Sequence, residues 1–517
     1  MRGPTRRRAV LAPAVAVLAL ALAGAAAAAL PAPVDRPLPA LRGEQTSPVT
    51  TAVRVCPEPA AQTGVATTVT VVGRPDAASP APAGATLAPL DGPDRPVVTL
   101  PAAGGAAAYP VPAPGSAPLM ARATGGLAPG FAAEQLSRAA SSDRRGLADV
   151  ACAAPGTDFW FVGGGTTVGR RGRLVLTNPL DTPAQVDVTL YGPDGVVAAP
   201  GGRGLGVGPR ASRVLLLDAL APGLTRTAVH VQARAGRVAA ALAQQVQQGL
   251  TPAGWDWVPV AAGPARTLII PGVPPGGGAR LLRLVAPGDR DATVQLRLLT
   301  SDGSFTPPGG DVVALPAGSV AEVDLSAGLR GRPAAVLVEA DVPVTGGVVA
   351  RTGADPAGSA PPAGSAAGSG GGPAELAYTA AAPLLDAAVP VAPPPAGVAA
   401  SLLLTATERD ATVTVTPVPA AGAAGSAGSA APEGPASQTV AVPARRTVSV
   451  PLPAAGAAGA LLVRVQPGSG PVVGARLLTE GSGAGTLLSV LPLAPTPTVE
   501  VLPAVTALLD VGAPTSR

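Results

Sequence analysis

The stretch Arg173-Leu-Val-Leu-Thr-Asn-Pro-Leu-Asp-Thr-Pro-Ala-Gln-Val-Asp-Val-Thr-Leu-Tyr-Gly-Pro-Asp-Gly195 decides how this 517-residue chain is read. Val186, Val188 and Leu190 fall on one side of an extended backbone, and Asp187, Thr189 and Tyr191 on the other. A period of two makes a half-buried strand, and Gly192-Pro-Asp-Gly195 turns it. The plan returns from Leu281 to Gly303, where Val294, Leu296 and Leu298 alternate before Asp302-Gly303, and again near Leu402 to Pro417. The string Arg-Asp-Ala-Thr-Val occurs both at 290–294 and at 409–413. A repeated unit without a repeated catalytic residue points to architecture rather than chemistry.

Each copy is entered by an apolar piece punctuated with Pro or Gly: Phe159-Trp-Phe-Val-Gly163, Leu268-Ile-Ile-Pro-Gly272 and Val389-Pro-Val-Ala-Pro393. The run from Arg237 to Gln247 has a helix-like composition. Its counterparts, Gly346-Gly-Val-Val-Ala-Arg351 and Pro471-Val-Val-Gly-Ala-Arg476, are short and Val-rich, so all three read as closing strands. With about six or seven strands per unit, the predicted fold class is all-β, with tandem immunoglobulin-like β-sandwich modules after an N-terminal hydrophobic helix. The expected divisions are a signal peptide or membrane anchor at 1–32 and an Ala/Pro-rich, disulfide-linked region with strands at 33–155. Sandwich modules follow at 156–262, 263–352 and 375–490, with a flexible linker at 353–374 and a tail at 491–517.

The net charge is +4, but the arginines are scattered and aromatics make up 2% of residues. No basic stripe with interleaved aromatics is present, which argues against nucleic-acid partners. Arg2, Arg6, Arg7 and Arg8 precede an uncharged stretch from Ala9 to Leu30. That order predicts export, with the leader either cleaved in its Ala-rich end or retained as a membrane anchor with the N-terminus inside. Cys56 and Cys152, the two cysteines of the chain, both lie beyond the leader. An even pair in an oxidising compartment predicts a disulfide that ties 57–151 back onto the first repeat.

The segments Gly156-Thr-Asp-Phe-Trp-Phe161, Leu176-Thr-Asn-Pro179, Leu190-Tyr-Gly-Pro-Asp-Gly195, Gly254-Trp-Asp-Trp-Val-Pro259 and Ile270-Pro-Gly272 resemble those of a family of exported actinobacterial proteins, secreted or membrane-anchored, catalogued as a domain of unknown function. The two cysteines fall where such proteins carry theirs. The resemblance covers most of the chain after the leader and is firmest from Gly125 to Arg351. It implies an envelope location and supplies no activity, cofactor or catalytic residue.

His230 is the sole histidine; without a Gly-x-Ser-x-Gly elbow or a second Cys or His nearby, it reads as a solvated strand residue rather than a base or metal ligand. Asp158, Asp181, Asp187, Asp256, Glu322 and Asp324 could supply a glycosidase pair, which requires two carboxyls at a set separation. Trp160, Trp255 and Trp257 are the tryptophans of the chain. Exposed, they would form a platform for sugar rings or a partner; alternation in Trp255-Asp-Trp257 puts both rings on one face and favours core. The expectation is a non-catalytic, extracytoplasmic envelope protein acting as scaffold or binding subunit, with no cofactor and no metal. Its partner would be an envelope protein or glycan, with the membrane reached through an uncleaved leader. Carbohydrate or peptidoglycan binding, or a carbohydrate-active enzyme, are the rival readings.

Overall fold

Small and β-branched apolar residues alternating with polar ones cannot bury a helical stripe, and they form strands throughout the described residues. The structure, a computed structural model, describes residues 45–59, 64–74, 82–112, 116–139, 145–352, 374–421, 436–453, 458–482 and 485–502. The expected N-terminal helix at 1–32 lies outside these residues, as do most of the linker and most of the tail. Among the described residues no helix is long and apolar enough to cross a membrane. The chain divides into a main unit, Pro48–Val499, and a terminal unit of Met1–Ser47 with Glu500–Arg517. The short strands Gln45–Pro48 and Val499–Leu502 pair with each other.

The main unit repeats one sandwich of eight strand positions four times, the second and third copies adding a short hairpin strand, Gly195–Val197 and Gly303–Phe305, beside the third position. The last copy shows the plan most simply, with strands Val389–Val391, Val398–Ala406, Ala411–Pro419, Gln438–Val442, Arg446–Pro451, Ala458–Val465, Val472–Glu480 and Leu487–Pro492. One sheet takes them in the order first-sixth-third-fourth, and the other in the order fifth-second-seventh-eighth, all antiparallel. The second copy, from Asp158 to Val258, and the third, from Ala265 to Ala380, keep these pairings. In the third the sixth and seventh strands are one continuous strand, Ala334–Thr352, shared by both sheets. Relative to the immunoglobulin order, in which the first strand flanks the second and the last flanks the sixth, the first and seventh strands have exchanged sheets.

The region 33–155 contains more than isolated strands. Thr51–Cys56 through Gly146–Ala151 form a complete sandwich with the same order, so the chain holds four copies where the sequence suggested three. The Cys56–Cys152 disulfide joins its first strand to the end of its eighth, with Val55 and Ala153 exchanging backbone hydrogen bonds beside it. It therefore closes this sandwich upon itself rather than tying it to the next repeat. Glu375–Ala380 pairs with the end of Ala334–Thr352 and completes the third sandwich, whereas the sequence assigned it to the module after the linker. Each sandwich has its own apolar core, where burying a Val or Leu side chain is worth about 1.5–3 kcal/mol.

Between sandwiches, the outer face of one sheet packs on the opposite sheet of the next. Val55, Leu90 and Met120 of the first sandwich meet Ala239 of the second. Trp160 and Tyr191 of the second meet Val285 and Val320 of the third. Thr447 of the fourth donates to the Leu299 carbonyl of the third at 2.6 Å. Val418 and Leu462 of the fourth return to Val72 and Ala106 of the first. A head-to-tail contact repeated with a rotation that closes makes a ring, and here it closes at four.

Candidate functional site

The four eighth strands, β1 (Gly146–Ala151), β2 (Thr251–Val258), β3 (Glu375–Ala380) and β4 (Leu487–Pro492), are edge strands of their sheets. They line the centre of the ring, each packed on the next and the last on the first. Glycine sets the spacing at two points. A Cβ at Gly146 would lie 2.5 Å from the Trp255 carbonyl oxygen, and one at Gly254 would lie 2.6 Å from the Leu376 nitrogen. Gly254 also has φ +108°, a conformation side chains disfavour.

Polar groups bind these strands at the axis. Asp256 is fully buried; its carboxylate accepts from the Ser489 hydroxyl (2.9 Å) and from the Trp257 (2.9 Å) and Tyr378 (3.3 Å) backbone N–H groups. The Ser489 oxygen in turn accepts from the Asp149 N–H at 3.1 Å. One carboxyl thus ties together strands from four sandwiches. Glu375, also buried, faces Arg145 at 3.4 Å and accepts from the Leu376 N–H at 3.0 Å. Between the first and fourth sandwiches, Arg476 pairs with Glu134 (2.6 Å) and Asp149 and donates to the Ala392 carbonyl (2.6 Å).

Burial raises the Asp256 carboxyl well above its ordinary range, against its three hydrogen bonds. It also pushes Glu375 up to about 8 and Glu134 up to about 7, Arg476 opposing in the second case. The fold therefore holds protons that the unfolded chain releases near pH 4 to 4.5. The folded state binds more protons between that pH and about 8, so unfolding free energy falls as pH rises through this window, by about 1.4 kcal/mol per pH unit for each group still protonated. The thermal midpoint is expected to be highest near pH 5 and to decline toward pH 8, with Glu375→Gln flattening part of the decline. A profile level from pH 5 to 8 would contradict this account.

The carboxyls proposed as a glycosidase pair are engaged separately. Asp181 pairs with Arg210, Glu322 with Arg283 and Asp324 with Ser326, while Asp256 is sealed at the axis. Asp158 and Asp187 stand in register on either side of Gln232, and each holds its own base, His230 at 2.9 Å and Arg234. His230 is only partly exposed, stacked on the Trp160 ring at 4.0 Å. Trp160, Trp255 and Trp257 are 4%, 2% and 4% exposed. Trp160 fills the contact between the second and third sandwiches, and the other two pack on Ala148 and Val150 of β1, so none presents a platform to solvent. The buried Trp257 indole N–H finds no protein acceptor among the described residues.

Arg476, Asp149, Glu375 and Ser489 were not singled out in the sequence. Their signal was a polar residue inside an apolar strand, as in Ala148-Asp-Val150 and Leu488-Ser-Val490. Among the described residues no group of three or more His, Cys, Asp or Glu side chains is placed to hold a metal ion.

No curated protein and no solved structure matches the chain. A model of a family of unknown function, DUF5719, matches residues 102–431, beginning inside the first sandwich and ending inside the fourth. The match covers more than half of the chain and reaches into all four sandwiches, and the chain belongs to the DUF5719 family of unknown function.

Proposed function

We propose that the chain is a non-catalytic, extracytoplasmic envelope protein that serves as a scaffold or binding subunit for protein partners. The disulfide fits an oxidising compartment, and the axial polar groups bind the ring together instead of facing a cleft. The observation that carries the reading is an asymmetry among the fifth strands. Those of three sandwiches are bonded to the preceding sandwich: Ala421 N–H to the Ala106 carbonyl (2.8 Å), Arg226 to the Val320 carbonyl (2.6 Å) and Arg446 to the Ser301 carbonyl (3.4 Å).

The fifth strand of the second sandwich, Ala211–Leu216, pairs on one side alone, with Arg170–Asn178. Among the described residues nothing pairs with its free edge, and Val214 and Leu216 are exposed beside it. An unpaired edge with apolar side chains is a template for strand addition by a partner. A photo-crosslinking residue at position 214, in intact cells, is expected to give a discrete protein adduct that a charged Leu216→Lys change removes. Adducts to glycan in place of protein, or hydrolysis of envelope glycan by the purified chain that is lost in Asp158→Asn/Asp187→Asn, would overturn the reading.

A further inference from the structure

On Thr51–Cys56, alternation turns Arg54 to the same side as Ala52 and Cys56, toward the interior of the first sandwich. It is 8% exposed, and its one hydrogen bond within the described structure runs from Nη1 to the Val53 carbonyl at 2.9 Å. Among the described residues no carboxylate pairs with it, and burial alone lowers its pKa to about 10. A buried cation without a counter-charge is costly, and proteins ordinarily pair it. Arg54 borders a cavity of about 90 Å³ between the first and fourth sandwiches, with Arg476, Thr496, Glu134, Val391 and Leu493 on the other walls. Two buried polar atoms of lining residues, Arg476 Nε and Thr496 Oγ1, have no hydrogen-bond partner among the described residues. Glu134 is engaged by Arg476 and by the Ala392 N–H at 3.4 Å, so it does not neutralise Arg54.

We propose that this cavity is a binding site for a small monocarboxylate. The carboxylate supplies the counter-charge Arg54 lacks, while its short alkyl end meets Val391 and Leu493. The volume suits a ligand of a few heavy atoms, since a cavity of about 150 Å³ takes benzene.

The test uses the full chain, dialysed free of carboxylates, titrated with ¹³C-labelled sodium acetate and observed by NMR. The unaltered protein is expected to show a saturable bound signal and a raised thermal midpoint, and Arg54→Met to bind acetate at least tenfold more weakly with an unchanged circular dichroism spectrum. Absence of saturable binding, or equal binding by Arg54→Met, overturns the proposal. Should Arg54→Met fail to fold, crystals of the unaltered chain grown with sodium bromoacetate decide. Anomalous bromine density between Arg54 and Leu493 supports the site, and water alone in the cavity overturns it.

Discussion

Arg476→Met is expected to lower the unfolding free energy by about 3–5 kcal/mol, the usual cost of removing one partner of a buried charge cluster. Arg476 is 1% exposed, and so is Asp149, one of its partners. Without the guanidinium, Asp149 and Glu134 remain buried side by side, and the contact between the first and fourth sandwiches loses its bond to the Ala392 carbonyl as well. Because that contact closes the ring, the loss is expected to appear as earlier opening between these two sandwiches, read as faster amide exchange in 132–139 and 472–480. The companion experiment adds Glu134→Gln and Asp149→Asn, which replace the two stranded carboxyls with neutral amides. This triple variant is expected to recover at least half of the loss in chemical denaturation. Equal stability of Arg476→Met and the unaltered chain would show that the cluster is not what closes the ring.

Replacing both cysteines with alanine is expected to cost about 4–5 kcal/mol in the first sandwich, because the bond closes a loop with a sequence separation of 96 and the chain-entropy model assigns roughly that much to such a loop. This sandwich needs the constraint more than the others. Its strands are rich in alanine, as in Gly105-Ala-Ala-Ala-Tyr-Pro110, and alanine buries little apolar area. Cys56 and Cys152 are both buried, so a mild reductant should leave the bond intact in the folded chain. The check is denaturation of the double variant followed by probes in each sandwich. A uniform loss across all four, with none concentrated in 51–152, would contradict the assignment.

Much of the local fold was legible in the residues. The alternation through Val186, Val188 and Leu190 is the observed pattern of burial, and the turns at Gly195 and Gly303 are hairpin turns where predicted. The first sandwich was harder to see as a copy. Its second strand, Ala66–Gly73, alternates clearly, but its seventh, Ala132–Ala139, buries Gln135 and Ser137 with Leu136 on the opposite face, and it lacks the Tyr-Gly-Pro-Asp-Gly hairpin that marks the second. The candidate site was the least legible part. Asp256 was noticed as an acid, yet its neighbours at the axis, Ser489 and Tyr378, lie far along the chain.

Sequence alone determined the strand period, the turn positions, the repeated unit and the cysteine pair, since each depends on residues close in the chain or on a count. Tertiary structure decided the closure of four sandwiches into a ring, the fate of the three tryptophans, the sealing of Asp256 and the exposure of the edge at Ala211–Leu216. These depend on which outer sheet faces meet. That choice is made by summed burial and by polar groups brought together across hundreds of residues, which no local periodicity records.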